Sequence, residues 1–527
     1  MIRDFQLPGR SPVIACDGMV ASSHPLASLA AMETLRSGGT AADAAVSAVA
    51  LLCVVEPHMT GIGGDCFCMV SKPNTPVWAY NGCGRSARNA SIEPLLKAGV
   101  RSIDAQSIHA VTVPGAVDAW GTILSAHGRF GLERALAPAI RYAEDGFPVA
   151  PRIAWDWSRA LAKLKGDPGA TRHYLVDGKT PAAGDVIRLP ALARTLKTIA
   201  EKGPRAFYEG EIAEDMAATV AARGSFLALE DFAAHRGEVV DPIKTNYRGH
   251  EVLEMPPNTH GLTVLVLLNL LESFDLASLD PLGPERFHIM LESARLAYAV
   301  RDAHVAEPKA MRVEVNSLLE KKFATQLARR IDRSRRVPLS SGPLPGSDTV
   351  YLTVVDRDRM VVSLINTLFN TFGVGICTEK TGIMLTNRGA CFVLDPDHPN
   401  AFAPGKRPLH TIIPALAFRD RHCEMAFGVM GAHYQPMGQT QLLTNIIDYG
   451  MDVQTAIDTP RAFFVGEQTV VEHSLPQSTR EGLAAREHRI ALADAPWGGA
   501  QAIVIDWKRG VLIGGSDPRK DGCALGF

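Results

Sequence analysis

In Gly346-Ser347-Asp348-Thr349-Val350-Tyr351-Leu352-Thr353-Val354-Val355-Asp356 the chain changes character. Upstream, residues 334–348 read SRRVPLSSGPLPGSD, a proline- and glycine-bearing linker with the chemistry of an exposed, cleavable loop. Downstream, residues 350–355 are mostly β-branched and pair naturally with 360–366 as a hairpin across Asp356-Arg357-Asp358-Arg359. Thr349 stands at the junction. A threonine hydroxyl is a poor nucleophile unless a neighbouring base takes its proton, and a free α-amine on the same residue is one such base. That amine has a pKa of roughly 7.7–8.0, so part of it is unprotonated near neutral pH. In an intact chain the same nitrogen is an amide. A cut between Asp348 and Thr349 would therefore create the base, leaving residues 1–348 and 349–527 as a large and a small segment of one fold. Taken alone, a strand threonine after a linker is an ordinary feature.

The composition bounds what surrounds this junction. With 527 residues, 46% hydrophobic and 21% charged, and a formal net charge of -2, the chain reads as an ordinary globular protein. No basic excess points to nucleic acid or to a membrane surface. The apolar stretches 41–55 and 262–271 are shorter than the ~20 residues of a spanning helix and suit buried helices. The N-terminal MIRDFQLPGR lacks the apolar run of a secretory signal, and nine cysteines without a pairing pattern suit a reducing compartment; the expected location is the cytoplasm. Cys66-Phe67-Cys68 puts both thiols on one face of a strand, with no second pair to complete a zinc site.

Helical spacing is expected over 26–53, broken at Ser37-Gly38-Gly39-Thr40 with Thr40 as N-cap of the second helix. Strands are expected at 66–71 and 77–81, followed by a mainly helical middle at about 115–127, 134–145, 190–202, 209–223, 262–274, 284–300 and 317–332. Beyond the junction come strands at 423–429, 469–473, 501–506 and 511–514, with helices at about 437–449 and 453–459. Strands near both ends and helices between them predict a layered α/β sandwich whose sheets draw on both segments.

Several site signatures are absent: there is no G-x-x-x-x-G-K-[ST] loop, no G-x-S-x-G elbow and no H-E-x-x-H helix. Gly61-Ile62-Gly63-Gly64 does not have dinucleotide-binding spacing and reads as a tight turn needing positive φ, or as a wall of a site. Together, the quoted junction, residues 20–24, Gly38-Gly39-Thr40-Ala41-Ala42-Asp43-Ala44, Glu56-Pro57-His58-Met59-Thr60-Gly61-Ile62-Gly63-Gly64, Val113-Pro114-Gly115-Ala116-Val117, Pro256-Pro257, Ala403-Pro404-Gly405-Lys406-Arg407-Pro408 and Gly515-Ser516-Asp517-Pro518-Arg519 resemble the γ-glutamyltranspeptidase family of N-terminal-nucleophile hydrolases, nearly end to end.

The resemblance implies a four-layer αββα sandwich, a zymogen that cuts itself before Thr349, and attack by Thr349 on an amide to give an acyl-enzyme, with no metal or organic cofactor. It implies that Thr367 assists the nucleophile and that Gly431-Ala432 supplies the main-chain N–H groups of an oxyanion hole. The processed segments would form a heterodimer, and a dimer of heterodimers is compatible with the family. At the substrate-binding positions the chain departs from the family's pattern. Asn81 replaces an arginine, Cys391 an aspartate and Arg388 a glutamine; Phe369 replaces a polar amide, with Asn370 beside it; His410-Thr411 replaces paired serines. A carboxylate clamp survives through Arg388 or Arg85, while no acidic partner for an ammonium is visible. The set resembles a divergent branch that includes oxamate amidohydrolase and some acylases. The reading preferred is an amidohydrolase of a small carboxylate-bearing amide such as oxamate. The alternatives are γ-glutamyl hydrolysis or transfer on glutathione, larger acyl-amide substrates, and an uncleaved, non-catalytic binding protein.

Overall fold

The structure, a computed structural model, describes Gln6 and residues 9–338 and 349–527. Asp348, half of the expected junction, lies outside the described residues. Along the chain the strands of the two large sheets are β1 (Val13–Ala15), β2 (Met19–Ser22), β3 (Asp65–Ser71), β4 (Trp78–Gly82), β5 (Glu238–Val240), β6 (Ile243–Tyr247), β7 (His250–Glu254), β8 (Val350–Val355), β9 (Val361–Thr367), β10 (Ala415–Arg419), β11 (His422–Met430), β12 (Gly499–Asp506), β13 (Val511–Ser516) and β14 (Cys523–Gly526). One seven-stranded sheet has the order β14-β2-β8-β9-β3-β4-β5 and the other β1-β13-β12-β11-β10-β7-β6. Every neighbouring pair in both is antiparallel.

The alternation of side chains along these strands sorts the interior into three apolar layers. Val350, Leu352 and Val354 of β8 face outward with Cys66 and Cys68 of β3, against α1 (Pro25–Arg36) and α2 (Ala41–Val55). Tyr351 and Val355, with Phe67 and Met69, face the other sheet and meet Leu253, Leu416, Ala426 and Ile503. The far side of that second sheet, including Phe427 and Val429, packs on α3 (Gly261–Leu271), α4 (Pro284–His304) and α5 (Gln435–Ile447). Helices, sheet, sheet and helices make the αββα sandwich. No helix among the described residues is long and apolar enough to cross a membrane.

Local chemistry explains the elements that the site depends on. Thr40 caps α2 in a capping box with Asp43, whose carboxylate also takes the N–H groups of Arg129 (2.9 Å) and Phe130 (2.9 Å). Three expectations need correction. The helical middle contains β5, β6 and β7, short strands whose polar residues weaken any apolar signal. The helix expected over 317–332 is a short turn at Val315–Leu318 followed by Lys321–Ala328. None of Gly61, Gly63 and Gly64 has positive φ. They are glycine because a Cβ at Gly63 would overlap the Met384 carbonyl and one at Gly64 the Thr367 carbonyl.

The sheets cross closely where β8 begins. A Cβ on Gly428 of β11 would overlap the Tyr351 ring of β8. Gly428→Ala is therefore expected to cost about 1–3 kcal/mol through overpacking, read as a lower midpoint in denaturant unfolding. Unchanged stability would show that the spacing of the sheets is not set at this contact.

Candidate active site

Thr349 immediately precedes β8 and is fully buried. Because Val350 pairs with Asn366 in the β8–β9 register, the last residue of β9, Thr367, stands opposite Thr349. The two hydroxyl oxygens are 3.1 Å apart. Thr367 Oγ1 also accepts the N–H of Phe369 at 2.8 Å. The end of β9 is held by Asn366, whose amide donates to Thr60 Oγ1 (2.8 Å) and to the Gly61 carbonyl (3.2 Å). The Glu56–Gly64 region thus frames the pair from behind through backbone that approaches closely at its glycines.

Beyond Thr367 the chain turns sharply, with Phe369 at φ 81° and Phe372 at φ 53°, a conformation that bulky residues adopt only when their surroundings hold them there. The consequence is that the Phe369 ring lies beneath the Arg388 guanidinium, whose carbon is 4.0 Å from the ring centroid. Arg388 is wholly buried. Its Nη1 donates to Thr411 Oγ1 at 2.8 Å and approaches Cys391 Sγ at 3.7 Å, while Nε and Nη2 have no hydrogen-bond partner among the described residues.

The buried carboxylate that feels Arg388 is Asp65, aligned with Thr367 in the β3–β9 register. Asp65 accepts the N–H of Gly84 at 2.9 Å and faces His410 Nε2 at 3.0 Å. Burial pushes its carboxyl up to about 6, against the opposing pull of Arg388. Both ring nitrogens of His410 are engaged: Nε2–H donates to Asp65 and Nδ1 accepts the Ile412 N–H at 3.3 Å. Burial, reinforced by Arg388, holds this imidazole neutral far below the usual histidine range. His410 therefore orders the wall of the site rather than acting as a free base.

The other expected residues separate clearly. Thr411 touches Arg388 directly. Asn370 is partly exposed, with its N–H on Asn387 Oδ1 at 3.1 Å and its own Oδ1 buried without a partner among the described residues. Asn81 spends its amide on Asn258 (3.0 Å) and on the Cys83 N–H (3.0 Å). Arg85 is claimed by Glu238 (3.0 Å), Glu307 and the Gly405 carbonyl (3.1 Å). Between the two arginines considered as carboxylate clamps, Arg388 is the one whose buried donors, Nε and Nη2, have no partner among the described residues, whereas Arg85 is ion-paired and part-exposed. Gly431 (φ 128°) and Ala432 (φ 47°) turn the chain out of β11 into the short 3-10 turn that leads to α5. Three residues earlier, Gly428 lies on Tyr351, which places this turn at the same end of the sandwich as Thr349.

Asp65, His260 and His433 carried no assignment from the sequence, although each adjoins a motif that did. His260 Nε2 donates to the Thr411 carbonyl at 2.7 Å. His433 follows Ala432 and packs edge-on to Phe369, ring centroids 6.1 Å apart. The ligand atoms of Asp65, Cys83 and His410 lie within 4.8 Å of one another, close enough to consider a cation. Their donors are already spent: His410 N–H on Asp65 and the Cys83 thiol on the Gly84 carbonyl at 3.2 Å. Burial pushes that thiol far above its usual range, and the nearby Arg388 charge opposes a further cation.

Comparison with known proteins agrees with this geometry. Residues 27–527 match the gamma-glutamyltranspeptidase family. The chain is 38% identical to the glutathione hydrolase-like YwrD proenzyme of Bacillus subtilis (strain 168), over 98% of this chain and 99% of that protein. It is 36% identical to the oxamate amidohydrolase proenzyme of Klebsiella pneumoniae subsp. pneumoniae, again over 98% and 99%. The crystal structure of cephalosporin acylase from Bacillus halodurans superimposes with a TM-score of 0.93 at 37% identity, over 100% of this chain and 99% of that one. The proenzyme relatives imply autoprocessed two-subunit enzymes in this group. The chain belongs to the γ-glutamyltranspeptidase family and is an amide hydrolase of the N-terminal-nucleophile class.

Proposed function

We propose that this enzyme cuts itself between Asp348 and Thr349 and then hydrolyses a small amide whose acyl part carries a carboxylate, oxamate being the simplest example. The observation that carries the substrate class is Arg388: a buried guanidinium on an aromatic platform whose Nε and Nη2 have no partner among the described residues. A carboxylate is the partner that such a planar fork accepts with two parallel hydrogen bonds. A zwitterionic γ-glutamyl group needs a counter-charge for its ammonium as well, and Asp65 is engaged by His410 and Gly84. The relationship to an oxamate amidohydrolase supports the same reading.

In the cycle, the α-amine of Thr349 takes the proton of its own hydroxyl, and Oγ1 attacks the amide carbon. Thr367, 3.1 Å away, orients that hydroxyl. The tetrahedral oxyanion receives the main-chain N–H groups at Gly431-Ala432, each such donor lowering the barrier by about 3 kcal/mol. The proton carried by the amine passes to the leaving nitrogen, which departs as ammonia. Water then attacks the ester and Thr349 is restored.

Purified protein is expected to resolve on a denaturing gel into fragments of 348 and 179 residues (527 − 348), while Thr349→Ala stays full length. Cleavage that persists in the variant, or wild-type protein that is never cut, would remove Thr349 from the mechanism. Ammonia release from oxamate should exceed glutamate release from glutathione; the reverse order would transfer the enzyme to γ-glutamyl chemistry.

Arg388→Met is expected to lower kcat/KM for oxamate by roughly 30- to 1000-fold, the worth of a lost charge-assisted pair. Its stability should be unchanged or higher, since a buried unpaired charge is removed. Equal loss of folding and activity would mean that Arg388 is structural.

Asp65 gives a pH signature. Above its value of about 6 the carboxylate offsets Arg388, and below it the neutral acid leaves the full positive charge. KM for oxamate is therefore expected to fall between pH 7.5 and pH 5.5, while kcat falls as the Thr349 amine protonates. In Asp65→Asn the KM trend should vanish. A wild-type KM that rises on acidification would contradict this account.

A further inference from the structure

We propose that His433 is a specificity-determining residue: a neutral imidazole locked to present Nε2–H to the substrate, so that the pocket binds acceptor-bearing acyl groups and disfavours those carrying an ammonium at that point. The inference deepens the carboxyamide reading above and rests on it.

The lock is visible in the hydrogen bonds. His433 Nδ1 lies 3.1 Å from Nη1 of Arg301. A guanidinium only donates, so Nδ1 must be the acceptor, and the ring proton of a neutral imidazole is forced onto Nε2. Arg301 is itself fixed, 3% exposed and bound through Nε to Asp302 Oδ1 at 2.7 Å. The backbone of His433 is held as well, its carbonyl accepting the Tyr298 hydroxyl. Burial and the charges of Arg301 and Arg388 push the imidazole well below the usual histidine range, which keeps it a donor without making it a cation.

Nε2 is on the side of the ring away from Arg301. It has no hydrogen-bond partner among the described residues, and His433 is partly open to solvent although its neighbours Ala432 and Tyr434 are buried. The ring stands edge-on to Phe369, the same ring that carries Arg388. It also directly follows Gly431-Ala432, the turn assigned to the oxyanion. A short acyl group placed between that turn and Arg388 therefore meets a second donor at His433. An oxygen acceptor is satisfied there. An ammonium would face N–H against N–H, with a guanidinium nearby, and would be left unsolvated, the discriminating situation in a buried polar site.

The test uses processed enzyme and oxalate, the acid product of oxamate hydrolysis, as a non-reacting ligand measured by calorimetry. His433→Leu is expected to weaken oxalate binding about 10- to 100-fold, the range for one hydrogen bond to a charged group. His433→Gln, which keeps an N–H donor at similar reach, should recover most of the affinity. In wild-type enzyme labelled with 15N-histidine, the resonance lost in His433→Gln should show a protonated Nε2 and a bare Nδ1. Arg388→Met separates the two claims. If it abolishes oxalate binding while His433→Leu binds as wild type, the role of His433 is refuted and the carboxylate reading stands. If wild type does not bind oxalate, or Arg388→Met binds it equally well, the carboxylate reading itself falls. Failure of glutamine to rescue a loss seen in leucine, with unchanged thermal stability in all variants, would reduce His433 to a steric role.

Discussion

Two hydroxyls held 3.1 Å apart by an antiparallel register organise this protein. Thr349 and Thr367 are not neighbours in sequence; they meet because Val350 pairs with Asn366, and a slip of one residue in β8–β9 would turn one of the two hydroxyls to the opposite face of the sheet. The same register aligns Asp65 with Thr367 through β3. The inner faces of the sheets must then be thin where β8 begins, and Gly428 beneath Tyr351 meets that need. Thr367, Asp65 and the Gly428 contact are thus set by strand pairing or by a glycine that admits a close neighbour.

The electrostatics follow a different logic. Burying Arg388 with two unspent donors costs several kcal/mol, and nothing in packing requires a cation there. Three histidines adjoin the pocket, yet burial disfavours protonation of His260, His410 and His433, and hydrogen bonds assign the roles of the ring nitrogens they engage. Asp65, pushed up by burial, compensates Arg388 only in part. The pocket is thus short of one negative charge, which the carboxylate of the proposed substrate would supply. Structural salt bridges elsewhere in the chain show the contrast: Arg461 and Arg519 are both matched to Asp517 or Glu472.

What the residues disclosed in advance follows from how local each signal is. The cap at Thr40, the α2 helix and the β8–β9 hairpin were legible because apolar period and turn chemistry act within a few residues. Strands β6 and β7 were hidden because IKTNY puts Lys244 and Asn246 on its exposed face and HEVLE carries three charged or polar residues, of which Glu254 is buried. The glycine run at 61–64 was legible as a constraint but misread in kind, since close backbone approach leaves the same residue type as positive φ. Arg388 and Arg85 could not be ranked without their partners: Glu238 and Glu307 are far from Arg85 in sequence and decide the matter. His433 had no readable role because its tautomer depends on Arg301, contributed by another helix.

The topology also explains why cutting the chain would not dissolve the fold. In the sheet that holds Thr349, β14 and β8 from after it flank β2 from before it, and β9 pairs with β3, so the two segments are interleaved by strand pairing. The end of the upstream segment is anchored independently of the junction. Val337 donates its N–H to Glu292 at 2.9 Å and accepts from Arg295 at 2.8 Å, while the Arg336 N–H reaches the Arg486 carbonyl at 2.8 Å. His288, bonded to the Asp332 carbonyl at 2.7 Å and to His488 at 2.8 Å, secures the approach. These bonds anchor residues before the Asp348–Thr349 bond and would survive a cut there. Cleavage would then change one amide into an amine at Thr349 while the register that positions its hydroxyl stays as it was, so the proposed activation of Thr349 would require no rearrangement of the sandwich.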